Sequence, residues 1–222
     1  MKKAERALRQ DMIAQCRALN ASGLNQGTSG NISARHGDMM LITPSAVPYD
    51  EMIPEMIAAM PLDPERHGSW EGPLKPSTEW RFHLDVMVRR SDVGAVVHAH
   101  PTYCTTLAIL RLPIPACHYM IAAFGGTDVR CAGYATFGTA ELSVLALQAL
   151  EGRSACLLAN HGMIALGTTL RKAMWTAVEL ETIARQYYLS LQVGDPHILS
   201  DEEIAETMQK FGSYGLHGNS KT

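Results

Sequence analysis

Gly94-Ala95-Val96-Val97-His98-Ala99-His100-Pro101 opens on four small or apolar residues and closes on a proline. The run reads as a buried strand ending at His100, with Pro101 at the first turn of a following helix. Side chains two apart on a strand share a face, roughly 6.6 Å apart along the backbone at about 3.3 Å per residue. Two imidazoles so placed can converge on one metal ion, at Zn–N distances of about 2.0–2.1 Å. Two ordinary histidines at a strand end would leave the same pattern. A third ligand and a carboxylate elsewhere in the chain would separate the two readings.

The chain is long enough to build a sheet around this strand. Its 222 residues suit one domain, 1–222, with a full core. Hydrophobic residues make up 46%, charged residues 18%, and the net charge is -3. That profile carries no basic field for nucleic acid or an anionic membrane, and neither is expected as a partner. The five cysteines (Cys16, Cys104, Cys117, Cys131, Cys156) are odd in number and form no C-x-x-C pair. They predict free thiols in a reducing compartment. Lys2 and Lys3 are followed by no apolar h-region, so no signal peptide is read. No apolar run approaches the roughly 18 residues of a membrane span. A cytoplasmic protein is expected.

N-terminal to the central strand, Leu8, Met12, Ile13, Cys16 and Leu19 fall at helical spacing over 2–20. A polar stretch, Asn20 to Asn31, follows and holds three glycines. It fits a plain loop; it also fits an anion-binding nest of backbone N–H groups and hydroxyls at Gly27-Thr28-Ser29-Gly30-Asn31. No Walker motif is present. Residues 31–35 and 39–43 read as a hairpin about His36-Gly37-Asp38. Met56–Met60 reads as a further strand, and 63–76 as a surface excursion. A helix is expected from Ser77 as N-cap, carried by Trp80, Phe82, His83, Met87 and Val88, with Glu79 in its first turn.

On the C-terminal side, a short helix spans 101–110 and an apolar segment runs from Ile114 to Ala123. Val129–Ala132 reads as a strand, and Thr139 caps a helix from Ala140 to Leu150. Ala155–Ala159 and Met163–Leu166 read as paired strands about Asn160-His161-Gly162. Thr168 or Thr169 caps a long helix to Val193, and Ser200-Asp201-Glu202-Glu203 is a capping box. Residues 211–222 are glycine-rich and expected to form a flexible tail.

His161, at the end of an apolar strand, is the candidate third ligand. Three histidines with an open fourth position make a catalytic rather than structural zinc site. A carboxylate such as Glu79 can fill that position at rest and then act as a base. Glu79 equally fits a residue that only complements the helix dipole. The other histidines, His83 among them, read as structural or solvated.

The run Leu24-Asn25-Gln26-Gly27-Thr28-Ser29-Gly30-Asn31, with Pro76-Ser77-Thr78-Glu79-Trp80, His98-Ala99-His100 and Asn160-His161-Gly162, resembles the class II aldolase/adducin family. His118 to Ala123, Tyr134 to Thr139 and Phe211 to Leu216 sharpen the resemblance toward its branch acting on L-fuculose 1-phosphate. The resemblance implies an α/β fold, a three-layer α/β/α sandwich with a mixed, largely antiparallel central sheet. It implies a homotetramer with active sites at subunit interfaces. It implies one Zn²⁺ per subunit on His98, His100 and His161, with Glu79 as resting ligand and then acid/base. It further implies a phosphate pocket from Thr28, Gly30, Asn31, Ser45, Ala46, Ser77 and Thr78. Tyr119 would be the proton donor to the aldehyde oxygen, with Phe137 and Tyr214 lining the aldehyde pocket.

The implied reaction is reversible cleavage of a ketose 1-phosphate to dihydroxyacetone phosphate and a small aldehyde. L-Fuculose 1-phosphate or a deoxy- or methylthio-ribulose 1-phosphate would be the substrate. Epimerases, dehydratases and decarboxylases share the scaffold, and adducin-like modules carry it without catalysis. The chain departs from the branch's pattern at Ser45-Ala46, where that pattern has Thr-Gly, and at Thr78, where it has serine.

Overall fold

Helix α1 (Lys3–Ala21) leads into the hairpin β1 (Asn31–His36) and β2 (Met39–Ile42), which β3 (Ala58–Pro61) extends. Helix α2 (Trp80–Arg89), β4 (Ala95–Ala99) and α3 (Thr102–Ile109) follow. Three two-residue strands come next: β5 (Ile114–Pro115), β6 (Asp128–Val129) and β7 (Cys131–Ala132). Helix α4 (Ala140–Ala149), the hairpin β8 (Ala155–Leu158) and β9 (Gly162–Gly167), α5 (Leu170–Val193) and α6 (Asp201–Ser213) complete the order. The structure, a computed structural model, describes residues 1–213.

Seven strands form one sheet in the order β3-β2-β1-β4-β9-β8-β7. Every pairing is antiparallel except that of β7 with β8, so the sheet is mixed and largely antiparallel, as expected. Alternation along β4 divides the core in two. Ala95, Val97 and Ala99 pack with Met12 of α1, Cys104 of α3 and Leu180 of α5. Val96 points the other way, among Phe82 of α2 and Leu142 of α4. The result is the three-layer α/β/α arrangement. Fully buried side chains such as Met12, Leu19 and Phe82 each contribute about 1.5–3 kcal/mol through burial. Among the described residues, no helix is long and apolar enough to cross a membrane.

Helix starts follow local chemistry, with two differences that matter for the site. Thr139 caps α4, Thr169 caps α5, and Ser200 and Glu203 form the reciprocal capping box before α6. Strand β4 ends at Ala99, one residue before His100, and Pro101 is the N-cap of α3 rather than its first residue. The free N–H groups of α3 meet the Glu181 carboxylate of α5, 2.9 Å from both Tyr103 N and Cys104 N. Ser77 does not cap α2. A turn closed by Trp80 N to Ser77 O, 3.0 Å, precedes the helix. Glu79 takes the cap position without using its side chain, which is thereby released for other work.

Other boundaries shift. The strand expected at 56–60 lies at 58–61, after a 3-10 turn at Pro54–Met56. Val129–Ala132 is split at Arg130: β6 pairs with β5 in a small separate sheet, and β7 joins the main one. The apolar segment from Ile114 holds β5 and a 3-10 helix, Tyr119–Phe124. Helix α6 runs to Ser213, through the first residues of the expected tail.

Candidate active site

Period-2 geometry puts His98 on the α2 side of the sheet, where it is fully buried and meets Phe82 edge-on at 5.4 Å. His100 follows on the same side, and its Nε2 lies 2.9 Å from Nε2 of His98. His161 arrives from the β8–β9 turn, where Asn160 takes a φ of 53°, a left-handed conformation that asparagine tolerates. Gly162 follows because a β-carbon there would stand 2.5 Å from Ala99 O and from the His100 ring. The three histidine ligand atoms lie within 4.8 Å of one another.

Glu79 closes the group. Its Oε2 is 3.1 Å from His98 Nε2 and its Oε1 is 3.2 Å from His161 Nε2. Burial pushes the Glu79 pKa up, but His98 and His161 more than offset it and hold the carboxyl well below its usual range. Burial, then His98 and His161, push His100 down to about 3 against an opposing pull from Glu79, so its imidazole is neutral.

The convergence of ring nitrogens and carboxylate oxygens suits a cation. His98 Nδ1 lies 2.9 Å from Met163 O, an acceptor only, so Nδ1 carries a hydrogen and Nε2 is the ring atom turned to the cluster. That nitrogen faces Glu79 Oε2. Glu79 Oε1 is buried without a hydrogen bond although His161 is adjacent. Tetrahedral zinc with nitrogen ligands at about 2.0–2.1 Å would space them about 3.3 Å apart, inside the range seen here. The donor set therefore fits a divalent metal.

A cavity of 460 Å³ opens beside these ligands. Thr28, Gly30, Asn31, Ser45, Ala46, Ser77, Thr78, Glu79, His100, Phe137 and His161 line it, so most residues singled out in the sequence come together. Ser45 joins the two hydroxyl-bearing loops: its Oγ accepts from Thr78 N at 3.0 Å and donates to Pro76 O at 3.3 Å. Ser77 Oγ accepts from Glu79 N at 3.2 Å. Gly138, at a φ of +75°, lets the Phe137 loop close on Thr78, whose carbonyl would lie 2.7 Å from a β-carbon there.

Ser29, Tyr134 and Asn160 also line the cavity. Tyr134 stands in a quoted motif but carried no distinguishing local signal. Tyr119 does not line it; half-exposed at 52%, it stands beside His118 and Phe211. Tyr214 lies outside the described residues.

Ala46 holds a φ of 58°, a left-handed conformation that strains any residue with a β-carbon. Ala46→Gly removes that strain but adds freedom to the unfolded chain. The balance favours glycine by about 0.5–1 kcal/mol. A rise in the chemical-denaturation midpoint with unchanged slope is the expected result.

An imidazole cluster with a carboxylate within reach of its nitrogens suits an enzyme that uses a metal, and no lysine among the described residues lines the cavity. Residues 10–188 match the family described as Class II Aldolase and Adducin N-terminal domain. The chain is 52% identical over 209 residues to a 5-methylthioribulose-1-phosphate/5-deoxyribulose-1-phosphate aldolase of Rhodospirillum rubrum, covering 94% of this chain and 93% of that one. It is 47% identical over 210 residues to the L-fuculose phosphate aldolase of Escherichia coli K12, covering 94% and 96%. A solved L-fuculose 1-phosphate aldolase superposes with a TM-score of 0.88 at 42% identity, over 93% of this chain and 96% of the other. The chain belongs to the class II aldolase/adducin family. It is a class II aldolase, a lyase of a family that is generally metal-dependent.

Proposed function

We propose that this enzyme is a zinc-dependent aldolase that cleaves a ketose 1-phosphate to dihydroxyacetone phosphate and a small aldehyde. The observation that carries the reading is the junction of the His98, His100, His161 and Glu79 cluster with a hydroxyl-lined cavity. Zinc, when bound, supplies a Lewis acid that lowers the barrier to placing negative charge on the ketose oxygens.

The rest is the work of the chain. Thr28, Asn31, Ser45, Ser77 and Thr78, with Gly30 and Ala46 in the walls, hold the phosphate by hydroxyls, an amide and backbone N–H groups. No arginine or lysine lines the cavity among the described residues, so phosphate binding is by neutral donors. Remote binding of this kind aligns the reacting carbons. Glu79, held ionised, takes and returns the proton at carbon. Phe137 lines the aldehyde side. Tyr119 and Tyr214 supply polar groups there, Tyr119 donating the proton to the aldehyde oxygen. Tyr119 is exposed and away from its own cavity, which supports a homotetramer whose sites lie between subunits. Five free cysteines suit a cytoplasmic enzyme of one domain, 1–222.

An assay coupled to dihydroxyacetone phosphate tests this, with zinc or chelator and the 1-phosphates of L-fuculose, ribulose, 5-deoxyribulose and 5-methylthioribulose. Metal-dependent release from at least one is expected, and the ranking of kcat/KM names the aldehyde. No release from any, with zinc bound, overturns the reading in favour of another reaction on this scaffold.

A further inference from the structure

We infer that His83 is a positioning residue for Glu79, acting through Asn31: it fixes the Asn31 amide so that one N–H is aimed at the carboxylate. The inference rests on the acid–base role proposed for Glu79.

His83 stands on α2, one turn beyond Glu79, and is fully buried. Both ring nitrogens are engaged by β1. Nδ1 is 2.7 Å from Ser33 Oγ, and Nε2 is 2.5 Å from Asn31 Oδ1. Asn31 Nδ2 in turn donates to Glu79 Oε2 at 3.0 Å. Ser33 and Asn31 are two apart on a strand, so their side chains share the face that looks at α2. Asn31 is also the register partner of His98, which ties this network to the strand that carries the metal ligands.

Chemistry fixes the direction of every bond in the chain. An ionised carboxylate only accepts, so Asn31 presents Nδ2 to Glu79 and Oδ1 to His83. The reverse orientation would set amide oxygen 3.0 Å from carboxylate oxygen, acceptor against acceptor. Asn31 Oδ1 then requires a hydrogen on His83 Nε2, and Nδ1 of the neutral ring accepts from the Ser33 hydroxyl. Burial and the nearby His98 push His83 down to about 3, against an opposing pull from Glu79, so the neutral form prevails. A run from Ser33 through His83 and Asn31 to Glu79 results, with no choice of tautomer left in it. The Phe82 ring, stacked on His83 at 4.6 Å, locks the imidazole plane.

Fixing Oε2 leaves the other oxygen for chemistry. Oε1 takes no bond from Asn31 and faces His161 Nε2 at 3.2 Å, so it is the oxygen left for the proton. Groups that orient a ligand or base from behind typically cost about 10–100-fold in metal affinity or activity when removed.

His83→Leu removes the donor to Asn31, whereas His83→Gln keeps a side-chain N–H near the place of Nε2. In zinc-loaded enzyme we expect His83→Leu to lower kcat by about 10–100-fold with KM within about twofold of wild type. Zinc affinity, read by competition with a chromophoric chelator, should fall by about tenfold. His83→Gln should recover most of both. Equal losses in the two variants, a loss confined to KM, or no loss would overturn the inference. If His83→Leu does not fold, Ser33→Ala, which removes the hydroxyl that fixes the His83 tautomer, must lower kcat with KM near wild type. A wild-type enzyme inactive on every ketose 1-phosphate would defeat the aldolase reading instead. The zinc comparison then decides alone for His83: unchanged affinity in His83→Leu overturns the role, and a loss recovered by glutamine supports it.

Discussion

Glu79→Gln is expected to keep its zinc and lose about 10³-fold in kcat, within the usual reach of a positioned general base. Glutamine matches the shape of the side chain it replaces, and its amide can turn so that oxygen still faces the Asn31 N–H, 3.0 Å from Glu79 Oε2 in the present enzyme. Three imidazoles remain to bind the metal. The change removes the basic oxygen. A neutral amide at Oε1, beside His161, cannot take a proton from carbon at any working pH. KM should move little, because the proposed phosphate donors on the 28–31, 45–46 and 77–78 segments are untouched. Zinc content by atomic absorption, together with solvent deuterium exchange into dihydroxyacetone phosphate, separates binding from proton transfer. Retained exchange at near wild-type rate would refute the role assigned to Glu79.

The parts of this site legible in the sequence are those encoded by short-range rules. His98 and His100 share a side because side chains two apart on an extended chain do, and the fold brings their nitrogens to 2.9 Å. His161 was readable from its place beside an apolar strand, and the helix caps at Thr139 and Ser200 from side-chain chemistry at fixed offsets. What stayed hidden depends on contacts between distant segments. A serine before an amphipathic run normally caps it, yet Ser77 spends its carbonyl on a turn with Trp80 and its hydroxyl on Glu79 N, which moves the helix start. His83 reads as structural or solvated because its partner Asn31 lies 52 positions away, and no local pattern encodes that pairing. Arg9 is similar: placed on the inner face of α1, it is buried because Glu5 pairs with it at 2.7 Å and the carbonyls of Pro54 and Ile57 accept from it. Tyr119 and Tyr134 are both half-exposed aromatics, and only the folded chain tells which of them lines the cavity.

The two kinds of proposed metal ligand should respond differently to truncation, and the contrast tests the site as a whole. His161 sits in a turn with its side chain 15% exposed, and its ring faces Glu79 Oε1 at 3.2 Å rather than a backbone carbonyl of the core. His161→Ala is therefore expected to leave the metal-free protein folded, with a thermal midpoint within a few degrees of wild type. It removes one of three imidazoles, so zinc affinity should fall by more than the roughly 10–100-fold typical of merely supporting residues. Cleavage should drop to background and not return at micromolar zinc, whereas chelator-stripped wild type should recover on the same addition. His98→Ala should fail in a second way. His98 is fully buried against Phe82 and donates to Met163 O, so its loss leaves a cavity and an unpaired buried carbonyl. Together these cost about 2–4 kcal/mol even without metal. Metal-free melting curves and zinc isotherms on both variants separate the ligand's role from the packing role. Wild-type zinc affinity in His161→Ala would show that the histidine cluster is not the metal site, whatever the stability of His98→Ala.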